Sequence, residues 1–264
     1  MFANLATRHT VALIAVATPT VYLFLLRRSV MRNVESCNTQ QYGRGAQTGK
    51  TTQHWQAAAS PPSEPPLPRS LPQSVVADDT PGYVLWNERV VSKPVALSEL
   101  RWSGGSLDEL LTRYVRATMV AFTWTPQAYL IRKMLPAGVG ETFEADYINT
   151  MDFAELGKRV DGVYTVQYRG TDPGGERVEM RLSPPEEYTG PRSGGIIVAA
   201  IEPVGAGAPD EVVFVNETWL WRNPDEKPTL LEGSIGRWFH SLLAAWLIGK
   251  GIKPIRREEF LAKK

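Results

Sequence analysis

The stretch SIGRWFHSLLAAWLIG, residues 234–249, decides how the rest of the chain is read. Ile235, Trp238, Phe239, Leu242, Leu243, Trp246 and Leu247 recur at spacings of three and four, which predicts a helix with one broad apolar face. Gly233 precedes its start at Ser234, and Gly249, Lys250 and Gly251 supply the stop. The uncharged part, 241–249, falls short of the ~20 apolar residues that cross a bilayer. Such a helix has to be laid on a partner, and the residues before it supply a sheet.

Working outward, EVVFVNETWLWR (211–222) and SGGIIVAAIEPV (193–204) read as strands, the second apolar on both faces and therefore central. ERVEMRLS (176–183) alternates cleanly: Val178, Met180 and Leu182 face one way, Arg177, Glu179 and Arg181 the other, the pattern of a half-buried antiparallel strand. GVYTVQYRG (162–170) precedes it across Asp172-Pro173-Gly174-Gly175, a tight connection. A shorter strand is expected in ETFEADYI (141–148), and GYVLWNERVV (82–91) reads as the first strand. Between them, Ser106 with Glu109 fits a capping box, and the apolar positions from Leu107 to Phe122 keep helical spacing. Thr125-Pro126 starts a second helix, which stops at Pro136. The tail from Lys253 to Lys264 is charged and is expected to fray.

The order is strand, two helices, several antiparallel strands and a long C-terminal helix. It resembles the helix-grip fold of START-type lipid-transfer domains, pollen-allergen proteins and polyketide cyclases. The resemblance covers roughly 76–252 and lies in element order, so no residue role is carried over from it. It implies an α+β domain over 76–264 whose antiparallel sheet wraps the terminal helix around an apolar cavity. A hot-dog thioesterase-like fold and a nuclear-transport-factor-like cone are the competing architectures. The first does not need the terminal helix, and the second ends in a sheet.

Residues 1–34 read as an anchor or targeting segment. Its apolar run VALIAVATPTVYLFLL (11–26) gives a membrane helix over about 10–27, preceded by Arg8 and His9 and followed by Arg27, Arg28 and Arg32. The charge lies mainly on the C-terminal side, which makes an uncleaved signal-anchor the favoured reading and puts the following domain in the cytosol, at the endoplasmic reticulum or mitochondrial outer membrane. No acidic residue precedes Glu35, so a mitochondrial address stays open, as does a cleaved signal ending at Ala15-Val16-Ala17. Residues 35–75 contain SPPSEPPLPRSLP and are otherwise rich in small and polar residues, the composition of a disordered proline-rich spacer.

Composition limits the chemistry. Lys and Arg number 29 against 28 Asp and Glu, so there is no basic excess for a nucleic-acid partner. A single cysteine, Cys37, and three dispersed histidines, His9, His54 and His240, exclude the usual multi-cysteine and multi-histidine metal centres. No motif specifies a cofactor, a metal or a nucleophile.

Two acid–base candidates remain. With period two, Glu217 shares a face with Val213, Val215, Trp219 and Trp221. On a concave apolar face its pKa would rise and make it a general acid or base, whereas an arginine on a neighbouring strand would make it structural. His240, at the edge of the apolar stripe of the terminal helix, is the second candidate for a base. Trp219, Trp221 and Tyr147 are candidate ligand contacts.

Three function classes follow. One is a membrane-tethered binder of a hydrophobic small molecule in an internal cavity. A second is a metal-free cyclase, isomerase or dehydratase using that cavity, with a thioesterase-like enzyme as its hot-dog counterpart. A third is an organelle scaffold whose protein partner meets the eight tryptophans.

Overall fold

Runs of β-branched and aromatic residues broken by Gly, Pro and Asp turns give this chain long antiparallel strands. The computed structural model describes residues 21, 23–42, 48–56, 65–76, 83–102, 104, 106–172, 175–190, 192–205 and 210–261. In chain order the elements are a helix at 23–31 (α1), β1 (Val34–Tyr42), β2 (Thr48–Gln56), a short α2 (Gln73–Val76), β3 (Val84–Ser92) and β4 (Val95–Ala96). Next come α3 (Leu107–Phe122), α4 (Pro126–Met134), α5 (Ala145–Thr150) and β5 (Arg159–Val160). The chain continues through β6 (Tyr164–Asp172), β7 (Gly175–Leu182), β8 (Gly194–Pro203), β9 (Glu211–Arg222), α6 (Ser234–Ile252) and α7 (Glu258–Leu261).

All pairings are antiparallel, and the strand order is β2-β1-β3-β9-β8-β7-β6-β5, with β4 on the end of β9. The fold is therefore α+β, an antiparallel sheet carrying a long C-terminal helix. α3 and α6 pack together on one face, α3 over β7 and β8, α6 over β1, β3 and β9. Gly251 allows the close approach of the two helices. A Cβ there would lie 2.3 Å from the Thr118 hydroxyl and 2.5 Å from the Tyr114 ring. The residues 65–76 cover the other face, where Leu71 and Val75 join Tyr42, Leu85, Ile196, Val198, Trp219 and Trp221 in a second apolar cluster.

Local signals account for the helix starts. Thr125 Oγ1 accepts from Ala128 N at 3.1 Å with Pro126 at the first helical position. Ser106 Oγ accepts from Asp108 N at 3.0 Å, while Glu109 pairs with Arg113 one turn on instead of reaching back to close a capping box.

Of five expectations, four are corrected and one, the membrane helix, falls largely outside the described residues. First, 35–75 is not a disordered spacer where it is described. Residues 34–42 and 48–56 are strands of the sheet, and 65–76 lies on it. β1 is polar in composition, yet Asn38, Thr39 and Gln40 are buried because it pairs on both edges, and ladder hydrogen bonds replace apolar content. Residues 57–64 lie outside the described residues.

Second, of the expected membrane helix over 10–27, residues 10–20 lie outside the described residues, and 23–27 belong to α1. Leu23 and Leu26 of α1 pack on the main core with Val30 and Met31. Among the described residues no helix is long and apolar enough to cross a membrane.

Third, 141–148 is helical, a 3₁₀ turn at Gly140–Phe143 running into α5. Fourth, the tail is ordered as far as 261: Arg101 N donates to Ile255 O at 2.7 Å, and Ile255 is buried. Fifth, the charged face of β7 is only partly open to solvent: Arg177 and Glu179 are buried, Glu179 against Arg69 and Ser70, and Arg181 is exposed.

Candidate functional site

Alternation along β9 sorts its residues between the two faces. Val212, Phe214, Asn216 and Thr218 look towards α3 and α6; the Glu217 carboxylate, Trp219 and Trp221 meet their partners on the other face, although Glu217 as a residue also borders the helix-face pocket.

On that second face Glu217 is opposite Arg89 in register, and Arg89 Nη1 donates to Glu217 Oε1. Trp219 Nε1 donates to Glu217 Oε2 at 2.9 Å, and Arg177 Nη2 lies 3.6 Å from the same oxygen. Arg89 also donates to Glu202 Oε2 at 2.6 Å. Glu179 accepts from Arg69 N (2.9 Å), Ser70 N (2.8 Å) and Ser70 Oγ (2.6 Å), which ties 65–76 to the sheet. Burial pushes the Glu202 carboxyl up despite Arg89, while for Arg89 the two carboxylates outweigh burial and strengthen its charge. Glu217 is thus a structural ion-pair member with its oxygens engaged. Trp219 is fully buried, Trp221 nearly so, and both are core rather than ligand contacts. Tyr147 donates to Arg159 O at 2.8 Å and does not border the helix-face pocket described below. Of the tryptophans whose side chains are described, Trp124 alone is largely exposed, so a tryptophan-rich contact surface is not formed by the described residues.

The helix face holds a pocket of about 70 Å³ between α3, α6 and the sheet. Apolar walls come from Met119, Phe122, Met180, Ile197, Leu243 and Leu247; polar groups come from Asn216, Thr218, Tyr164, Gln127 and His240. That volume matches about two waters at ~30 Å³ each and is far below the ~300–1,000 Å³ of sites that enclose a whole organic ligand.

His240 is oriented by Glu88, a residue that sequence reasoning left unmarked. Its Nδ1 lies 2.8 Å from Glu88 Oε1, and Ser241 Oγ donates to Glu88 Oε2 at 2.8 Å. A carboxylate oxygen accepts, so the proton of this bond belongs to Nδ1, and Nε2 is the nitrogen not engaged by Glu88. The side chains of Glu88 and His240 are 1% and 13% exposed, so the pair is shielded from water. Burial opposes charging His240, but the charge and hydrogen bond of Glu88 outweigh it and hold the imidazole above its ordinary range. Tyr164 stays a phenol, since burial, Asp161 and Tyr188 all push its pKa up.

Among the described residues no cluster of three or more His, Cys, Asp or Glu could hold a metal. No family model, no curated protein and no solved structure matches this chain.

Proposed function

We propose that the chain is an enzyme that moves a proton within a small, largely apolar carbonyl compound, an isomerase or cyclase, with His240 as the proton carrier. One observation carries this reading: a histidine held by a carboxylate at Nδ1 that borders an apolar pocket with phenol and amide groups beside it. Nε2 takes a proton from a carbon next to the carbonyl, and the electron pair moves onto the carbonyl oxygen. The imidazolium so formed is paired with Glu88, and it returns a proton, the one abstracted or one exchanged with solvent, to another carbon of the substrate. No co-reactant is consumed. Tyr164 offers an O–H donor for the enolate oxygen. The pocket takes the reacting end, and the rest of the molecule lies across the mouth by Gln127, Leu243 and Leu247. Glu88 is a positioning residue, and Glu217 has no part in the step.

The reading includes a helix-grip-like arrangement, supported by the long helix α6 lying on the sheet with the pocket beneath it. It also includes attachment to a membrane, supported by the apolar stretch 11–20 that precedes the residues packed on the core.

Proton exchange in D₂O tests the reaction. The full chain is incubated with a panel of small cyclic enones and 1,3-dicarbonyl compounds, and the protons next to the carbonyl are followed by NMR. Protein-dependent exchange is expected for at least one compound. His240→Gln should slow it by about 10²–10⁴-fold, and Glu88→Gln should slow it less while shifting its pH profile. Exchange that His240→Gln leaves unchanged, or no exchange from any compound, overturns the reading.

A further inference from the structure

The far end of α6 carries a second and larger opening, independent of the His240 pocket. A cleft of about 640 Å³ is lined by Arg32 and Asn33 after α1, Lys93, Pro94 and Val95 between β3 and β4, Glu99, and Gly249, Ile252, Lys253, Arg256 and Phe260. Its size falls within the ~300–1,000 Å³ range of small-molecule sites. Four cations face it and one carboxylate. Arg256 Nη2 lies 3.6 Å from Glu99 Oε2, and its Nε is buried without a hydrogen-bond partner. Among the described residues, Arg32, Lys93 and Lys253 have no ion-pair partner, and all three are exposed.

The C-terminal end of α6 explains part of this, since its dipole favours the positive charge of Lys253 and Arg256. It does not explain Arg32 and Lys93, which two other segments bring to the same cleft. Those segments are fixed to each other by Lys93 N donating to Asn33 O at 3.0 Å. Like charges gathered from three segments repel unless an anion lies between them. Val95, Ile252 and Phe260 give the cleft an apolar side.

We infer that this cleft binds a phosphate monoester or diphosphate group with a short apolar body. Arg32, Lys93, Lys253 and Arg256 pair with the phosphate oxygens, and the apolar body lies against Ile252 and Phe260. The guanidinium groups suit two-pronged contact with phosphate, and the lysines act as point charges. The phosphate has two sources, a free metabolite or the headgroup of an acidic phospholipid.

Two probes used on the full chain separate the sources: inorganic pyrophosphate in calorimetry, and phosphatidylcholine vesicles with and without phosphatidic acid in flotation. Saturable binding of pyrophosphate, or an increment of vesicle binding due to phosphatidic acid, is expected. The double variant Arg32→Gln/Lys253→Gln should weaken it at least tenfold, while Lys133→Gln on α4 leaves it unchanged. Both changed side chains are exposed, so the fold survives the test. Pyrophosphate binding alone identifies a free phosphate compound; the phosphatidic-acid increment alone identifies a lipid headgroup. No response to either probe, or a response that the double variant leaves within twofold, overturns the inference.

Discussion

The two faces of the sheet carry buried carboxylates in opposite situations. Under 65–76, Glu179, Glu202 and Glu217 meet arginines, backbone amides and an indole N–H. Under α6, Glu88 accepts, among the described residues, from the neighbours His240 and Ser241, and the histidine borders a pocket. The first arrangement is closed and the second has one end open. A carboxylate enclosed by cations fixes geometry; a carboxylate behind a histidine sets the tautomer and proton affinity of that histidine. What separates structure from chemistry here is the open valence, and burial alone does not reveal it.

The comparison breaks most sharply at Arg89. Arg89→Met leaves the buried Glu217 and the half-buried Glu202 without their shared cation, and loss of one partner of a buried pair costs about 3–5 kcal/mol. Urea denaturation should show this loss while the titration of His240 stays as in the parent. A coupled change in His240 would mean that the two faces are not independent.

Glu179→Gln should have the next largest effect. The carboxamide keeps the shape but presents an NH₂ to one of the N–H groups of Arg69 and Ser70. Charge-assisted hydrogen bonds are worth about 1.5–3 kcal/mol each, so 65–76 should loosen and become a site of limited proteolysis. Unchanged protease resistance would show that Leu71 and Val75 hold the segment without Glu179.

Asp161 sharpens the contrast from a third side, as a buried carboxyl with no partner for either oxygen. Burial raises its pKa well above the usual carboxylate value, and its φ of 47° belongs to the region that Asp and Asn tolerate. A raised folded pKa means that stability is greatest below the unfolded value near 3.8 and is lost as pH rises through the folded one. Asp161→Asn should therefore raise the Tm at pH 7 by about 2–4 °C, the shift that ~1 kcal/mol makes at this chain size. The gain should fade as the pH falls from the folded pKa towards 3.8 and be absent below it.

Much of the fold was legible because the relevant signals are local. The helix starts at Ser106 and Thr125 show caps, α6 shows helical spacing of apolar residues, the strands 176–183 and 211–222 show alternation and 193–204 a continuous apolar run, none of which depends on distant residues. β1 was not legible, because Asn38, Thr39 and Gln40 are strand residues only by virtue of the neighbours they pair with. The inward side of α6 was read one step off. Its sequence is apolar nearly all round, so small residues decide: Ala244, Ala245 and Gly251 face the interior while Ile235 and Phe239 are exposed.

At the site, His240 was readable as a histidine on the edge of an apolar stripe, and the pairing of Glu217 with a neighbouring arginine was one of its two open readings. Glu88 had a signal that went unused. In LWNERVV it alternates with Trp86 and Val90, a carboxylate on an apolar face of a strand. Which helix residue would meet it depended on the crossing of α6 over β3, and no sequence pattern states that.

The most direct test of the central claim is the ¹⁵N and ¹³C NMR titration of the His240 ring, assigned by its loss in His240→Gln. The account predicts Nδ1–H as the neutral tautomer, Nε2 as the nitrogen that takes up the proton, and a pKa above the ordinary 6.5 that falls in Glu88→Gln. It also predicts that stability contributed by this pair is whole below pH 6.5 and declines as pH rises through the folded pKa. An Nε2–H tautomer, or a titration that Glu88→Gln does not move, would contradict it.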